Sequence, residues 1–180
     1  MPEACNYCDD IVAETADLTI GDAWLPQYSF DWRGKNMVIS RNPSLTSILE
    51  AAEKNGYVAL EKMTASDAAD AQAGGFRQRR EGLAHRMFKR KLEGLWVPEK
   101  RALPDIIRPK PLRAWIYDLR EQASRHSHIE FRRALDSGQI EYYDDAMAAK
   151  FKRLRRVEIF VSSIRIIWVR LRALASRRVA

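Results

Sequence analysis

Cysteine is almost absent from this chain, with two in 180 residues, Cys5 and Cys8. Two are too few for a disulfide-built scaffold. Histidine is nearly as scarce, at three, and no Ser/His/Asp grouping with a supporting motif occurs, so a hydrolase reading has little support. No apolar run reaches the roughly 18 residues that a transmembrane helix needs. The N-terminus has neither a basic leader nor an apolar stretch behind it, so no secretory signal is visible. No internal repeat is present. No helix-turn-helix, finger or RNA-binding signature accompanies the basic residues, which argues against nucleic acid as a partner. The expected compartment is cytoplasmic, with thiols reduced or metal-bound.

What is present is charge, unevenly spread. The formal net charge is +7. Residues 1–70 hold 5 Lys/Arg against 12 Asp/Glu, a net of −7, whereas residues 71–180 hold 26 against 12, a net of +14. An acidic half is joined to a basic half. The basic half suits an anionic surface or an acidic partner, or complements the acidic half within the fold.

Apolar patterning predicts an α+β (mixed α/β) fold: a small mixed sheet with packed helices, then a helical C-terminal region ending in a long basic amphipathic helix. Strands are expected at Ala16–Ala23, Asn36–Arg41 and Tyr57–Leu60. Asp31–Gly34 reads as a turn in which Gly34 takes positive φ. Pro43 opens a helix with Leu45, Ile48, Leu49 and Ala52 on its apolar face, closed by Asn55-Gly56. Thr64–Ala73 is a second helix, broken by Gly74-Gly75. Phe76–Glu93 is a basic helix with Leu83, Met87 and Leu92 as buried positions. Pro98, Pro104, Pro109 and Pro111 forbid a continuous helix and mark a boundary. Leu112–Ser124 and His128–Leu135 read as two helices, Ser137-Gly138 as a turn, and Tyr142–Ala180 as a final helix. The expected division is 1–97 as one domain, 98–111 as a Pro-rich linker and 112–180 as a helical extension.

The densest chemistry lies in the first two dozen residues. Cys5-Asn-Tyr-Cys8 can place two thiolates on one metal ion or cluster, close a redox disulfide, or hold two inert thiols. A thioredoxin-type pair would follow a strand and open a helix, and no strand precedes this one. Gly74-Gly75 with Arg77, Arg79 and Arg80 could face a phosphate, although no phosphate-loop spacing is present and a solvated basic face is the simpler reading. His126 and His128 fall at a helix junction and read as surface polar residues. His85 stands alone in a basic helix.

Cys5-x-x-Cys8-x-Asp10, Glu14, Ala16-Asp17 and Gly21-Asp22 resemble the signature of the coenzyme F-420 hydrogenase/dehydrogenase beta-subunit family, in its C-terminal domain. Trp24-Leu-Pro, Asp31, Gly34, Arg41-Asn42, Gln72-Ala-Gly-Gly and Arg79-Arg80-Glu81-Gly-Leu are similar to its bacterial branch. The resemblance covers residues 4 to 101 well and the tail more loosely. It implies an iron–sulfur flavoprotein that moves electrons between a 4Fe-4S cluster, FAD and a deazaflavin (coenzyme F-420) or another acceptor. Cys5 and Cys8 would then be metal ligands. Asp10, Asp17, Gly21 and Asp22 would lie beside the cluster or flavin, with Gly74, Gly75 and Arg79 as further cofactor-binding candidates.

Family members run about twice this length or more, with a ferredoxin-like cysteine run upstream. A 4Fe-4S cluster takes four protein ligands, and this chain supplies two thiols. The chain therefore resembles a late segment of a larger protein. Its remaining ligands would come from a missing N-terminal half or another redox subunit, or the site is vestigial. Two other readings stand beside this one. The first is a non-catalytic interaction module that docks a partner or a membrane surface through residues 150–180. There Phe151, Leu154, Val157, Val161, Ile164, Trp168, Leu171 and Ala175 recur at helical spacing among Lys and Arg. The second is a small zinc or thiol redox site at Cys5 and Cys8.

Overall fold

A computed structural model describes residues 3–28 and 30–176. They group into two compact units, one formed by residues 3–83 with 98–103, the other by residues 84–97 with the chain from 104 onward.

The N-terminal unit holds a two-stranded antiparallel sheet, β1 (Leu18–Asp22) and β2 (Asn36–Ser40). The register pairs Ile20 with Val38 and Gly21 with Met37. Side chains alternate across a strand, so Met37 faces inward and is buried while Ile20 and Val38 share the opposite, exposed face. The turn between the strands forms at Asp31–Gly34 as expected. Gly34 has φ 75°, its N–H donates to the Asp31 carbonyl at 2.9 Å, and Asp31 Oδ1 accepts from the Arg33 N–H at 3.1 Å. Asn42 caps α1 (Pro43–Lys54) by accepting from the Ser44 N–H, which satisfies one of the helix's orphan donors. Gly56 at φ 75° ends it, with Tyr57 N–H donating to Ala52 and Gly56 N–H to Glu53.

That helix end explains why the expected third strand, Tyr57–Leu60, does not form. The Tyr57 N–H is spent on α1, and the Leu60 N–H donates to the Glu53 carboxylate at 3.1 Å. Residues 57–60 are exposed and carry no strand. The sheet is two-stranded, not a three-stranded mixed one.

Thr64 caps α2 (Ala65–Ala71). The break expected at Gly74-Gly75 falls two residues earlier, at Gln72 (φ −108°, ψ 15°), and both glycines lie inside α3 (Ala73–Phe76). A π-helical turn, Arg77–Glu81, leads into α4 (Gly82–Leu92). Leu83 and Met87 are fully buried, as expected, but Leu92 is exposed, because the helix stops there ahead of Gly94 at φ 71°.

In the C-terminal unit the two helices expected before residue 136 are one, α5 (Pro111–Ser137). The polar stretch around residues 124–128 contains neither glycine nor proline. Intrahelical pairs, Arg125 with Glu121 at 2.8 Å and His126 with Glu130 at 3.4 Å, carry the helix through it. His126 and His128 therefore lie on one helix and not at a junction. Gly138 at φ 70° turns the chain into α6 (Glu141–Ser176). Val157 of α6 is buried with Ile116 and Leu119 of α5, and Leu154 and Val161 pack beside them. Part of the expected apolar stripe thus faces its own neighbour. Phe151 is half exposed, and the side chains at 168, 171 and 175 lie outside the described residues.

Candidate functional site

Cys5 lies on a 3₁₀ turn, Glu3–Tyr7, and Cys8 follows immediately. Both thiols are half-buried and unbridged. The Cys8 Sγ donates to the Asp10 carbonyl at 3.5 Å, while Asn6 between the cysteines is buried.

Behind them the loop to Asp17 is held by its own acids and by cations from distant segments. The Asp10 carboxylate accepts from the Val12 N–H at 3.0 Å and the Glu14 N–H at 3.1 Å. It acts as a turn staple of the kind aspartate forms best. Arg41 reaches across from the end of β2. Its guanidinium donates to the Ala16 carbonyl at 2.8 Å, the Val12 carbonyl at 3.0 Å and Thr19 Oγ1 at 3.0 Å. Asp17 Oδ1 accepts from the Asn42 side-chain amide at 3.3 Å, and its carbonyl accepts from the Arg41 N–H at 2.8 Å.

A second clamp comes from residues 98–103. Arg101 donates to Glu14 at 2.8 Å and to Asp9 at 3.3 Å, and Lys100 lies 3.6 Å from Asp9. Partial burial pushes the Asp9 carboxyl up. The Arg101 hydrogen bond, a backbone N–H and the charges of Lys100 and Arg101 outweigh it and hold the group below the usual carboxylate range. The Arg101 guanidinium is correspondingly raised by Glu14 and Asp9.

Gln72 gathers much of the rest. Its Nε2 donates to the Asp22 carbonyl at 2.7 Å. A Cβ on Gly21 would lie 3.9 Å from that same nitrogen. A Cβ on Gly75 would lie 3.2 Å from Ile11 Cγ2 and 3.9 Å from Gln72 Oε1. Gly21, Asp22 and Gly75 therefore meet around one amide, and the bare Cα of Gly75 lets the cysteine loop pack against α3. Gly74 is exposed. Arg79, on the π turn, is half-buried and bonds to no described residue.

Sequence reasoning placed none of Gln72, Arg41 and Arg101 in the site. Gln72 and Arg41 stood in similarity motifs without a role, and a lone arginine beyond a proline gives no signal of reaching back over 87 positions. Among the described residues no group of three His, Cys, Asp or Glu could hold a metal ion. A four-ligand cluster needs two ligands beyond the thiols of Cys5 and Cys8, and the described residues do not supply them.

The geometry defines two unbridged thiols at and just after a 3₁₀ turn, and one comparison matches the segment that holds them. Residues 1–66 match the family model for the C terminus of the beta subunit of coenzyme F420 hydrogenase/dehydrogenase. This stretch is similar to that C-terminal domain, and the resemblance carried by Cys5 to Trp24 and by Arg41-Asn42 lies within it. Residues 72–81 lie beyond the match. Comparison with curated proteins and with solved structures returns no match.

Proposed function

We propose that the chain is one component of an electron-transfer assembly, in which Cys5 and Cys8 are two of the thiolate ligands of an iron–sulfur cluster close to a flavin. The observation that carries this reading is the pair of unbridged, half-buried thiols beside one 3₁₀ turn, inside the family-matched stretch. Such a cluster supplies one-electron transfer, and the chain's own part is to fix the geometry of that edge. Arg41 and Arg101 hold the loop that follows the thiols, and Gln72 ties the end of β1 to α3. Arg79 is the cation available to a flavin phosphate, and Asp10, Asp17 and Asp22 serve as loop and strand supports.

The other ligands belong to a second polypeptide or a further segment. Two observations support such a partner. Among the described residues, the buried apolar ones of the N-terminal unit are Ala23, Leu25, Met37, Ala71, Leu83 and Ala102. Half are alanines, a thin core for a unit of this size. A two-stranded sheet is also marginal alone, and here its Ile20–Val38 face is exposed, as are Trp24 and Trp32, at 74% and 92%. Exposed apolar surface of this kind marks association.

Purification of the tagged chain from its own cells under anaerobic conditions tests the assembly. A co-eluting cysteine-bearing polypeptide together with iron, acid-labile sulfide and flavin is expected. A colourless, metal-free monomer overturns the reading. The zinc alternative has less to build on, since the carboxylates that follow Cys8 are already engaged, Asp9 with Lys100 and Arg101 and Asp10 with two backbone N–H groups.

A further inference from the structure

α6 carries two stripes, and only one of them is used within its unit. The inward stripe, Leu154, Val157 and Val161, packs on Ile116 and Leu119 of α5. The Arg120–Glu158 ion pair between the two helices, at 2.6 Å, fixes the rotation of α6. At 100° per residue, positions 152, 155, 156, 159, 160, 163, 166 and 167 then fall on the opposite side. Those positions begin with Lys152, Arg155 and Arg156, all exposed. They continue with Ile159, Phe160, Ile166 and Ile167, each more than half exposed. Ser163 between them donates to the Ile159 carbonyl at 3.0 Å, so its hydroxyl is returned to the helix and does not interrupt the apolar face. Between 152 and 167 this side carries no carboxylate; two turns earlier, toward the start of α6, it carries the exposed Asp145.

The register also leaves the end of α6 without α5 beside it. Arg120 opposite Glu158, in antiparallel helices whose shared cluster holds Ile116, Leu119 and Val157, places the start of α5 at Pro111 level with about residue 167. The helix continues to Ser176, roughly 14 Å further at about 1.5 Å per residue.

We infer that the outward face of α6 binds an anionic lipid surface. Cations at one end and large aliphatic and aromatic side chains at the other match the headgroup and acyl layers of a bilayer boundary. A second copy matches less well, because a parallel copy opposes like charges and an antiparallel copy overlaps only the apolar segment from Ile159 to Ile167 and leaves both cation clusters without a counter-charge. No helix among the described residues is long and apolar enough to cross a membrane, so the contact is a surface one. This inference is independent of the cysteine chemistry.

The test is co-sedimentation of the full chain with vesicles of phosphatidylcholine alone and with phosphatidylglycerol added. The chain is expected to bind only the anionic vesicles. The combined Lys152→Gln, Arg155→Gln and Arg156→Gln variant should bind about a hundredfold more weakly, at about 1 kcal/mol per basic residue. Phe160→Ser with Ile167→Ser should abolish binding at unchanged helical circular dichroism. Failure of the wild type to sediment, or equal binding by the triple-Gln variant, overturns the proposal. So does a concentration-dependent dimer dispersed by Phe160→Ser, because the face is then covered by a second copy.

Discussion

Gln72 donates its side-chain amide to the backbone carbonyl of Asp22 at 2.7 Å. The bond joins the residue at which α2 ends to the last residue of β1, fifty positions away in sequence. Gln72→Ala leaves that carbonyl to water and frees the contact with Gly21 and Gly75. A loss of about 0.5–1.5 kcal/mol is expected, the net worth of one such bond. Gln72→Glu should do no better, since a carboxylate cannot donate. Thermal unfolding of the two variants checks this, and a wild-type midpoint in both would show that the bond holds nothing.

The neighbouring glycines should respond differently to the same methyl group. A Cβ on Gly74 meets only the flexible end of Arg77, at 4.0 Å, whereas on Gly75 it meets Ile11 Cγ2 at 3.2 Å. Gly74→Ala is expected to stabilise by up to about 1 kcal/mol through helix propensity. In Gly75→Ala the same gain is offset by displacement of Ile11, so the substitution comes out neutral or destabilising. Paired denaturant curves measure the difference directly.

In the C-terminal unit Asp118 accepts from Lys89 Nζ at 2.8 Å and from the His85 ring at 3.0 Å. Partial burial pushes the Asp118 carboxyl up, but the hydrogen bonds and charges of Lys89 and His85 prevail and leave it lowered. A folded-state pKa below the unfolded one gives stability that is present above about pH 4 and lost as pH falls through the depressed value. Lys89 is raised, first by its hydrogen bond to Asp118, so its share is present below about pH 10.4 and lost as pH rises through the raised value. Asp118→Asn should therefore lower the midpoint most at neutral pH, with the gap to wild type closing at both extremes. Unfolding followed across pH tests this, and a gap independent of pH would contradict it.

Much of the N-terminal unit was legible because its signals are local. Asn42 before Pro43, Thr64 before α2, and Gly34 and Gly56 at positive φ each act through neighbours one to four residues away. The differences arise where a side-chain or backbone partner outside the local composition pattern decides. Tyr57–Leu60 has the composition of a strand, but its N–H groups were claimed by α1 and Glu53. Gly74-Gly75 looks like a break, yet Ile11 makes Gly75 a packing position. The apparent junction near His126 is bridged by side-chain pairs one turn apart, Arg125 with Glu121 and His126 with Glu130. At the site the cysteines were plain in the sequence. The clamps Arg41, Arg101 and Gln72 were not, because arginine and glutamine carry no mark of the carbonyl or carboxylate they will find.

The central claim is that Cys5 and Cys8 ligate a cluster as a pair. Iron and acid-labile sulfide, measured on the tagged chain isolated anaerobically from its own cells beside its Cys5→Ser and Cys8→Ser variants, test that most directly. Both should be present in the wild type and fall sharply in each single variant, with the co-eluting polypeptide and the circular dichroism unchanged. Iron and sulfide undiminished in both variants would contradict the account.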